Sequence, residues 1–289
     1  MVFLTDAEQW ATETFSRANL GDLRRTKRLV KLTASLANHI GQSIVQSLKS
    51  PSDIEAAYRF TRNHAIDAQS IAEAGFVATA ELAQSYDCLL ALEDTTSLDF
   101  THRTVRDEMG YTTSRKSARG MHAHSVLLFA PEEKQVVGLI EQERWIRDMS
   151  LYGKKAQRGS RAYEEKGSFK WERASRAMEK RLGSVLDKVI SVCDREADII
   201  EYLTYKMTNQ QRFVFRSMQS RCIEESTDKL YSFSDALQPA DERKVQVKQR
   251  GGRKAREAIC EVRYAPVTIK MPANKQGESV SLYYVGCQE

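Results

Sequence analysis

The sequence predicts an α/β protein, α+β overall, with a helical N-terminal domain, then a mixed sheet, then a β-rich segment. Apolar residues recur at helical spacing through the first third of the chain, and short apolar runs of strand length begin at Cys88. The 289 residues are 41% hydrophobic and 29% charged, so they can form a core without disulfides or a structural metal. Three domains are expected, at residues 1–75, 76–218 and 219–289.

Four helices are expected in the N-terminal domain. The first covers residues 9–18, and the second, Leu23–Ala37, follows Asp22, a residue type that caps helix N-termini. Pro51 opens a third helix that ends near residue 63, because proline fits the first helical turn. Asp67 caps a fourth helix, which continues to Ala83. One face of the second helix is apolar, at Leu29, Leu32 and Leu36.

The segments that follow are typical of strands separated by helices. Five strands are expected, at residues 88–92, 124–130, 135–143, 188–193 and 212–216. Two helices separate the later strands, at residues 169–182 and 197–207. This order is that of an RNase H-like sheet, although other α/β sheets share it. A loop is expected at residues 153–167 and a basic hairpin tip at residues 248–254.

Two acids stand where buried strands are expected to end. Asp94 follows the apolar run that starts at Cys88, and Asp194 follows residues 188–193. Carboxylates at the C-terminal ends of neighbouring strands would lie close together and repel each other unless a cation neutralised them. Such oxygen ligands suit Mg²⁺ or Mn²⁺, which activate water or a 3′-hydroxyl in phosphodiester chemistry. The alternative is a helix cap or an Asx turn, both common for aspartate after a strand.

The other acids and the histidines near these segments are not expected to bind a metal themselves. Four acids are expected to face solvent or to support the site from outside it: Glu93, Asp99, Glu196 and Asp198. Glu93 should point away from Asp94, because side chains alternate along a strand. His122 and His124 lack partners at ligand spacing, so they are expected to be polar residues near a strand start.

A cluster of cations lies on the second helix. Five basic residues occur within eight positions without an acid: Arg24, Arg25, Lys27, Arg28 and Lys31. Such a cluster offers contacts to DNA phosphates, and its alternative is a solvated helix face. Arg59 and Arg62 could extend the same surface or could be ordinary surface residues. The net charge of +5 is compatible with nucleic acid without demonstrating it.

Other function classes are disfavoured by composition. The five cysteines are widely spaced and form no Cys-x-x-Cys pair, which argues against a zinc site and a disulfide framework. The sequence has neither a signal-peptide pattern nor a stretch of transmembrane length, so a cytoplasmic protein without a membrane partner is expected.

Several of these segments resemble bacterial cut-and-paste DDE transposases of insertion-sequence family four, most closely the transposon-five type. The segments that carry the resemblance are Leu20-Gly-Asp-Leu-Arg-Arg-Thr-Lys-Arg-Leu29, Ala57-Tyr-Arg-Phe-Thr-Arg-Asn63, Leu92-Glu-Asp-Thr-Thr-Ser97, His124-Ser-Val-Leu-Leu, Val137-Gly-Leu-Ile-Glu-Gln-Glu-Arg-Trp145, Val192-Cys-Asp-Arg-Glu-Ala-Asp-Ile199 and Arg212-Phe-Val-Phe-Arg-Ser217. They occur in the family's order from about residue 10 to residue 221, and more weakly beyond. The Leu92 and Val192 segments are the most specific.

The resemblance implies a set of roles. Asp94 and Asp194 would be the first two metal-binding carboxylates of an RNase H-like core carrying a β-rich insertion. Arg25 and Arg28 would contact transposon-end DNA, with Arg59 and Arg62 in the same domain, and Arg119 and Arg216 would lie near the DNA beside the active site. Arg24 and Lys27 remain candidates for DNA binding through the basic cluster alone. The implied activity is Mg²⁺- or Mn²⁺-dependent nicking and strand transfer on double-stranded terminal repeats, within a homodimer or a dimer with full-length transposase.

One departure from the family pattern concerns the third catalytic acid. The family places a Glu on a helix after the β-rich insertion, and no Tyr…Arg…Glu…Lys pattern occurs here. A C-terminally truncated transposase, inactive alone, is therefore expected. The alternatives are a DNA-binding remnant that inhibits full-length transposase, a second polypeptide that completes the site, and an unrelated metal-dependent nuclease.

Overall fold

The computed structural model describes residues 6–113, 117–151, 161–249, 251–252 and 254–289. Most of the loop expected at residues 153–167, and two residues of the hairpin tip expected at 248–254, lie outside these ranges. Backbone contacts divide the chain into two units. The first comprises Met1–Ala197 and Gln210–Phe215, and the second comprises Asp198–Asn209 and Arg216–Glu289. The domain boundaries expected from sequence stay predictions.

The first unit opens with helices. These are α1 (Ala7–Phe15), α2 (Leu23–Ala37), α3 (Ile44–Ser47), α4 (Pro51–Thr61) and α5 (Ala68–Ala83). The predicted starts of α2, α4 and α5 are confirmed. Asp22 and Asp67 accept backbone N–H bonds as N-caps, and Pro51 occupies the first turn of α4. The first helix begins and ends earlier than expected, and α3 was not predicted.

A small hydrophobic core holds these helices together. Its buried members are Ala18, Leu20, Leu29, Leu32, Ala57 and Phe60. Leu36 packs at its edge, so the predicted apolar face of α2 is confirmed. The helices therefore stabilise one another by burying one stripe each, which leaves their other faces for charged residues.

A mixed sheet follows the helices. Its strands are β1 (Leu89–Asp99), β2 (Gly110–Tyr111), β3 (Arg119–Ala130), β4 (Gln135–Trp145), β5 (Val189–Cys193) and β6 (Arg212–Phe215). β4, β3, β1, β5 and β6 lie side by side, and the short β2 pairs with the start of β3. The β4–β3–β1 part is antiparallel, whereas β1, β5 and β6 are parallel. The predicted class of helices followed by a mixed sheet is confirmed.

Helices α5 and α7 (Lys170–Leu182) pack on this sheet. The short helix α6 (Arg103–Arg106) follows β1 and precedes β2 along the chain. The shared core includes Leu89, Val126, Leu128, Ile140 and Met178, all fully buried or nearly so. Arg181 adds a polar tie. Its guanidinium bonds Glu73 on α5 at 2.7 Å, the Ile140 carbonyl at 3.2 Å, and the carboxylate of Glu141.

The second unit contains α8 (Ile200–Thr208), α9 (Leu230–Asp235) and an antiparallel sheet of β7 (Asp241–Val247), β8 (Arg256–Ile269) and β9 (Val280–Gln288). The predicted β-rich character of this region is confirmed. Ile223, Leu230 and Val267 form its core. Among the described residues of the chain, no helix is both long enough and apolar enough to cross a bilayer.

The structure corrects the predicted end of the first strand. The predicted strand ended at residue 92, whereas β1 continues past Asp94 to Asp99 and pairs with β3 from Leu90 onward. The extension consists largely of hydroxyl-bearing and acidic residues, and a polar segment of this kind does not read as a buried strand. It remains in the sheet because β3 supplies both backbone partners and side-chain partners for it.

Candidate active site and nucleic-acid surface

The strand register brings Asp94 and Asp194 next to each other. The last pair in the parallel β1–β5 ladder joins Glu93 to Cys193, so the two aspartates occupy the next, matching positions. Neighbouring strands lie about 4.8 Å apart, and residues at matching positions point to the same face. Both aspartates are exposed. Two carboxylates therefore stand together where the parallel pair ends.

Asp194 also forms an Asx turn, the alternative to metal binding that the sequence offered for this residue. Its Oδ1 accepts a hydrogen bond from the Glu196 backbone N–H at 2.8 Å, which is an Asx turn. This turn uses one carboxylate oxygen and fixes the side chain on the exposed edge. A role in the turn and a role as a ligand are thus compatible at this position.

The donor chemistry of the pair fits a hard divalent cation only in part. Carboxylate oxygens are the ligands that Mg²⁺ and Mn²⁺ prefer, and proteins hold Mg²⁺ through as few as one or two of them. Within the described ranges, however, no group of three or more His, Cys, Asp or Glu side chains is arranged to hold a metal. The arrangement offers two carboxylates, without a third beside them in that part of the chain.

Behind the aspartates, on the opposite face of β1, lies a buried polar group that the sequence interpretation missed. Glu93 is buried, so of the two expected roles the solvent-facing one is wrong, and it points away from Asp94 as predicted. His124 on β3 is fully buried. Its Nε2 lies 3.9 Å from a Glu93 oxygen, and its Nδ1 lies 2.9 Å from the Thr95 hydroxyl. Ser97 and His122 form an equivalent pair at 3.1 Å.

His124 is held in its neutral form. Burial lowers its pKa to about 3, and the positive charges of Lys170 and Arg173 add to that effect. A carboxylate near a histidine would normally favour protonation. Glu93, whose carboxyl oxygen lies 3.9 Å away, does not offset the desolvation of the ring. His122 has a lowered pKa for the same first reason, burial.

Aromatic side chains and one lysine close this buried region. The ring of Trp171 meets His124 edge-on, and that of Trp145 stacks on His122. Lys170 lies over both indoles and bonds Glu196 at 3.1 Å. The signal in the sequence was the alternation His-x-His on one strand against Thr-x-Ser on the other. It becomes readable only once the register is known.

The other acids that the sequence places close to Asp94 and Asp194 along the chain have structural partners or face solvent. Asp99 accepts a hydrogen bond from the Thr112 hydroxyl, and Glu196 is exposed beside Lys170. Asp198 belongs to the second unit, where it is buried and paired with Arg221 at 2.8 Å. Two roles were expected for Asp198, facing solvent or supporting the site, and the first of these is wrong because the residue is buried.

The α2 cations differ in what they contact. Arg25 donates to the backbone carbonyls of Leu20 and Ala65 at 2.9 and 3.1 Å, so its guanidinium ties two chain segments together. Arg24 bonds the N-cap Asp22 at 2.8 Å and stays almost fully exposed. The exposed Lys27 makes no side-chain hydrogen bond or ion pair with the described residues of the domain.

Arg28 and Lys31 share a carboxylate from α4. The Asp53 Oδ1 atom lies 2.6 Å from the Lys31 ammonium and 3.4 Å from the Arg28 guanidinium. On α4 itself, Arg59 pairs with Glu55 at 3.7 Å, and Arg62 lies over the Tyr58 ring. These contacts leave the cations at the surface, and their roles in binding DNA stay predictions.

Arg119 and Arg216 are not brought to the carboxylate pair by any contact within the first unit. Arg119 stacks over Tyr111 at 4.3 Å and donates to the Met109 carbonyl at 3.1 Å. It precedes Ser125, the partner of Asp94 on β3, by six residues, or roughly 20 Å of strand. Arg216 is exposed and belongs to the second unit.

Comparison with known proteins adds two findings. A cryo-electron-microscopy structure of a piggyBac transposase synaptic complex with hairpin DNA is similar at 12% identity and a TM-score of 0.36; the match covers 96% of this chain. The chain spans about half the length of that protein, 51%. Residues 7–66, which comprise α1 to α4, match the family model described as transposase DNA-binding.

Proposed function

We propose that this chain binds the double-stranded terminal repeats of a transposon and belongs to the cut-and-paste transposases of insertion-sequence family four. The match of residues 7–66 to a transposase DNA-binding family carries the DNA-binding part of this proposal. The cations on the solvent face of α2 supply the charge that phosphate contacts require. The sequence segments that resemble the transposon-five type supply the family.

The chemical part of the proposal rests on the positions of Asp94 in β1 and Asp194 directly after β5, each the next residue after the last registered pair of the two strands. In an RNase H-like core, these two carboxylates would hold Mg²⁺ or Mn²⁺ in contact with a DNA phosphate. When bound, such a cation lowers the pKa of a water or 3′-hydroxyl and stabilises the leaving oxygen. Asp194 would keep its orientation through the Asx turn with Glu196. Asp94 would keep its orientation because β1 pairs with β3 at Asp94 and at the residues directly before and after it.

A second candidate function is a DNA-binding protein that competes with a catalytically active transposase for the same repeats. The observation that favours it is the donor set, since no third carboxylate joins the pair within the described residues. A site with two protein carboxylates would hold a second cation weakly, and cleavage would be slow or absent. Both candidates share the DNA-binding domain and differ only in chemistry.

The test separates binding from cleavage. Binding is measured by fluorescence polarisation on duplex DNA that carries the terminal inverted repeats found on either side of the gene. A duplex of scrambled sequence serves for comparison, and both are measured over a series of salt concentrations. We expect preference for the repeats and an affinity that falls steeply with salt, by about 0.9 log unit per log unit for each phosphate contact. Equal, salt-independent signals on both duplexes would overturn the DNA-binding function.

Cleavage is measured on the same repeats with Mn²⁺, using wild type, Asp94→Asn with Asp194→Asn, and Asp87→Asn as the control. Asp87 is an exposed acid just before the other end of β1. Nicking that survives in the control and disappears in the double variant would support the transposase chemistry. Binding without nicking in any of the proteins would favour the competitor.

A further inference from the structure

The cations of α2 are not spread evenly around the helix. At 3.6 residues per turn, four of them fall within an arc of about 100° that faces away from the buried stripe. These four are Arg24, Lys27, Arg28 and Lys31. Arg25 falls nearer the stripe, consistent with its bonds to two backbone carbonyls. The surface that could meet DNA phosphates is therefore this arc, which we call the α2 basic face.

One acid from another helix enters the α2 basic face. Asp53 is the third residue of α4, and its Oδ1 lies between Lys31 at 2.6 Å and Arg28 at 3.4 Å. The Ser50 hydroxyl donates to its other oxygen at 2.9 Å, and the Asp53 N–H returns a bond to that hydroxyl at 3.1 Å. The carboxylate is thereby fixed on the basic face. Lys31, followed by Ser50, holds its pKa below the usual range, so it is charged at neutral pH.

The same two cations remain open to a phosphate. The Arg28 side chain is 36% exposed and the Lys31 side chain 60% exposed. A guanidinium has five N–H donors and an ammonium three, and Asp53 occupies few of them. A DNA phosphate bound to both cations would consequently stand within a few ångströms of a fixed negative charge. An exposed ion pair orients its partners only weakly, so repulsion should outweigh any gain from that orientation.

We propose that Asp53 occupies a phosphate-contact position on the α2 basic face and limits the affinity of the domain for DNA. The proposal rests on the DNA-binding function proposed above, and it adds which surface meets the backbone and which residue weakens the contact. The partner is any duplex phosphate backbone, so the effect is expected on terminal repeats and on unrelated duplexes alike.

The test compares Asp53→Asn with Glu13→Gln, which removes an exposed acid from α1 in the same domain. Polarisation on repeat DNA at about 0.1 M KCl should show about three- to tenfold tighter binding for Asp53→Asn and less than about twofold for the control. Its salt slope should steepen by about one to two contacts. In a Lys31→Met background, Asp53→Asn should have a smaller effect, because one of the released cations is gone.

Each outcome bears on one claim. Unchanged or weaker binding by Asp53→Asn, with wild-type binding intact, would overturn the role of Asp53 and leave the DNA-binding function standing. No binding by either protein would overturn the function and the role of Asp53 with it. Asp53→Ser serves as a second variant if the asparagine protein does not fold, as judged by far-ultraviolet circular dichroism.

Discussion

Acidification should destabilise the first unit through one buried histidine. His124 is fully buried and neutral, with a pKa of about 3 in the folded protein against 6.5 for an unperturbed histidine. Below pH 6.5 the unfolded chain takes up a proton at this residue while the folded chain does not. The contribution is therefore fully present above the unfolded pKa and is lost as pH falls towards the folded one.

The size of the loss follows from the two pKa values. Moving from about pH 7.5 to about pH 5 should lower the free energy of unfolding by about 2 kcal/mol through His124 alone. Most carboxylates remain ionised over that interval, so their titration adds little. His122, whose pKa is also lowered by burial, adds a further loss of the same sign.

The assay is urea unfolding followed by tryptophan fluorescence at the two pH values. All three tryptophans, Trp10, Trp145 and Trp171, belong to the first unit, so the signal reports on the region that contains His124. In His124→Gln, about 2 kcal/mol of the pH dependence should be missing, although the variant starts less stable.

His64→Gln, which replaces an exposed histidine, is the matched control and should keep the wild-type pH dependence. Equal losses on acidification in wild type and in His124→Gln would refute the reasoning, because they would place the titrating group elsewhere. His122→Gln measured alone would identify the share that belongs to the second histidine.

Three further predictions concern packing and ion pairs. Gly120→Ala should destabilise by about 1–3 kcal/mol in thermal unfolding, because its Cβ would lie 2.8 Å from the Leu98 carbonyl carbon and closer still to the oxygen. Arg181→Met should cost about 3 kcal/mol in urea unfolding, because it leaves a largely buried carboxylate on β4 without its cation. Arg25→Met should cost about 1–2 kcal/mol, since two backbone carbonyls lose a charged donor, whereas Lys27→Met should stay within about 0.5 kcal/mol and weaken DNA binding instead.

The controls for these variants are internal to the chain. Gly167→Ala introduces a Cβ into open space, and it should leave the melting temperature nearly unchanged. A Gly120→Ala protein as stable as this control would mean that β1 can move away from β3 at Asp99. An Arg25→Met protein that keeps full stability but loses DNA affinity would contradict the structural role assigned to its bonds with the Leu20 and Ala65 carbonyls.

The helices and the order of the strands could be predicted because their signals are local. Asp22, Pro51 and Asp67 fix helix starts through bonds within a few residues, and these starts agree with the structure. Asp94 and Asp194 were also selected as candidate ligands from local pattern. Their proximity depends on which strands become neighbours, and the sequence interpretation could only suppose that β1 and β5 pair.

What could not be predicted depends on contacts between distant segments. β1 continues past Asp94 because Thr95 and Ser97 find histidine partners 29 and 25 residues further along the chain. Contacts between distant segments also determine which cations of α2 have a structural role. Arg25 and Lys27 look alike in sequence, but only Arg25 reaches a carbonyl at Ala65, forty residues away.

The backbone register between β1 and β5 fixes the spacing of the two aspartates without help from the chain that connects them. The connecting segment runs from residue 100 to residue 188, and its described residues include three strands and two α-helices. The length of that segment does not determine the separation of the aspartates, because each directly follows the last registered pair of the β1–β5 ladder, Glu93 with Cys193. Insertions and deletions in that segment can therefore accumulate during evolution, provided that they spare the packed strands and α7, while the distance between the carboxylates stays constant.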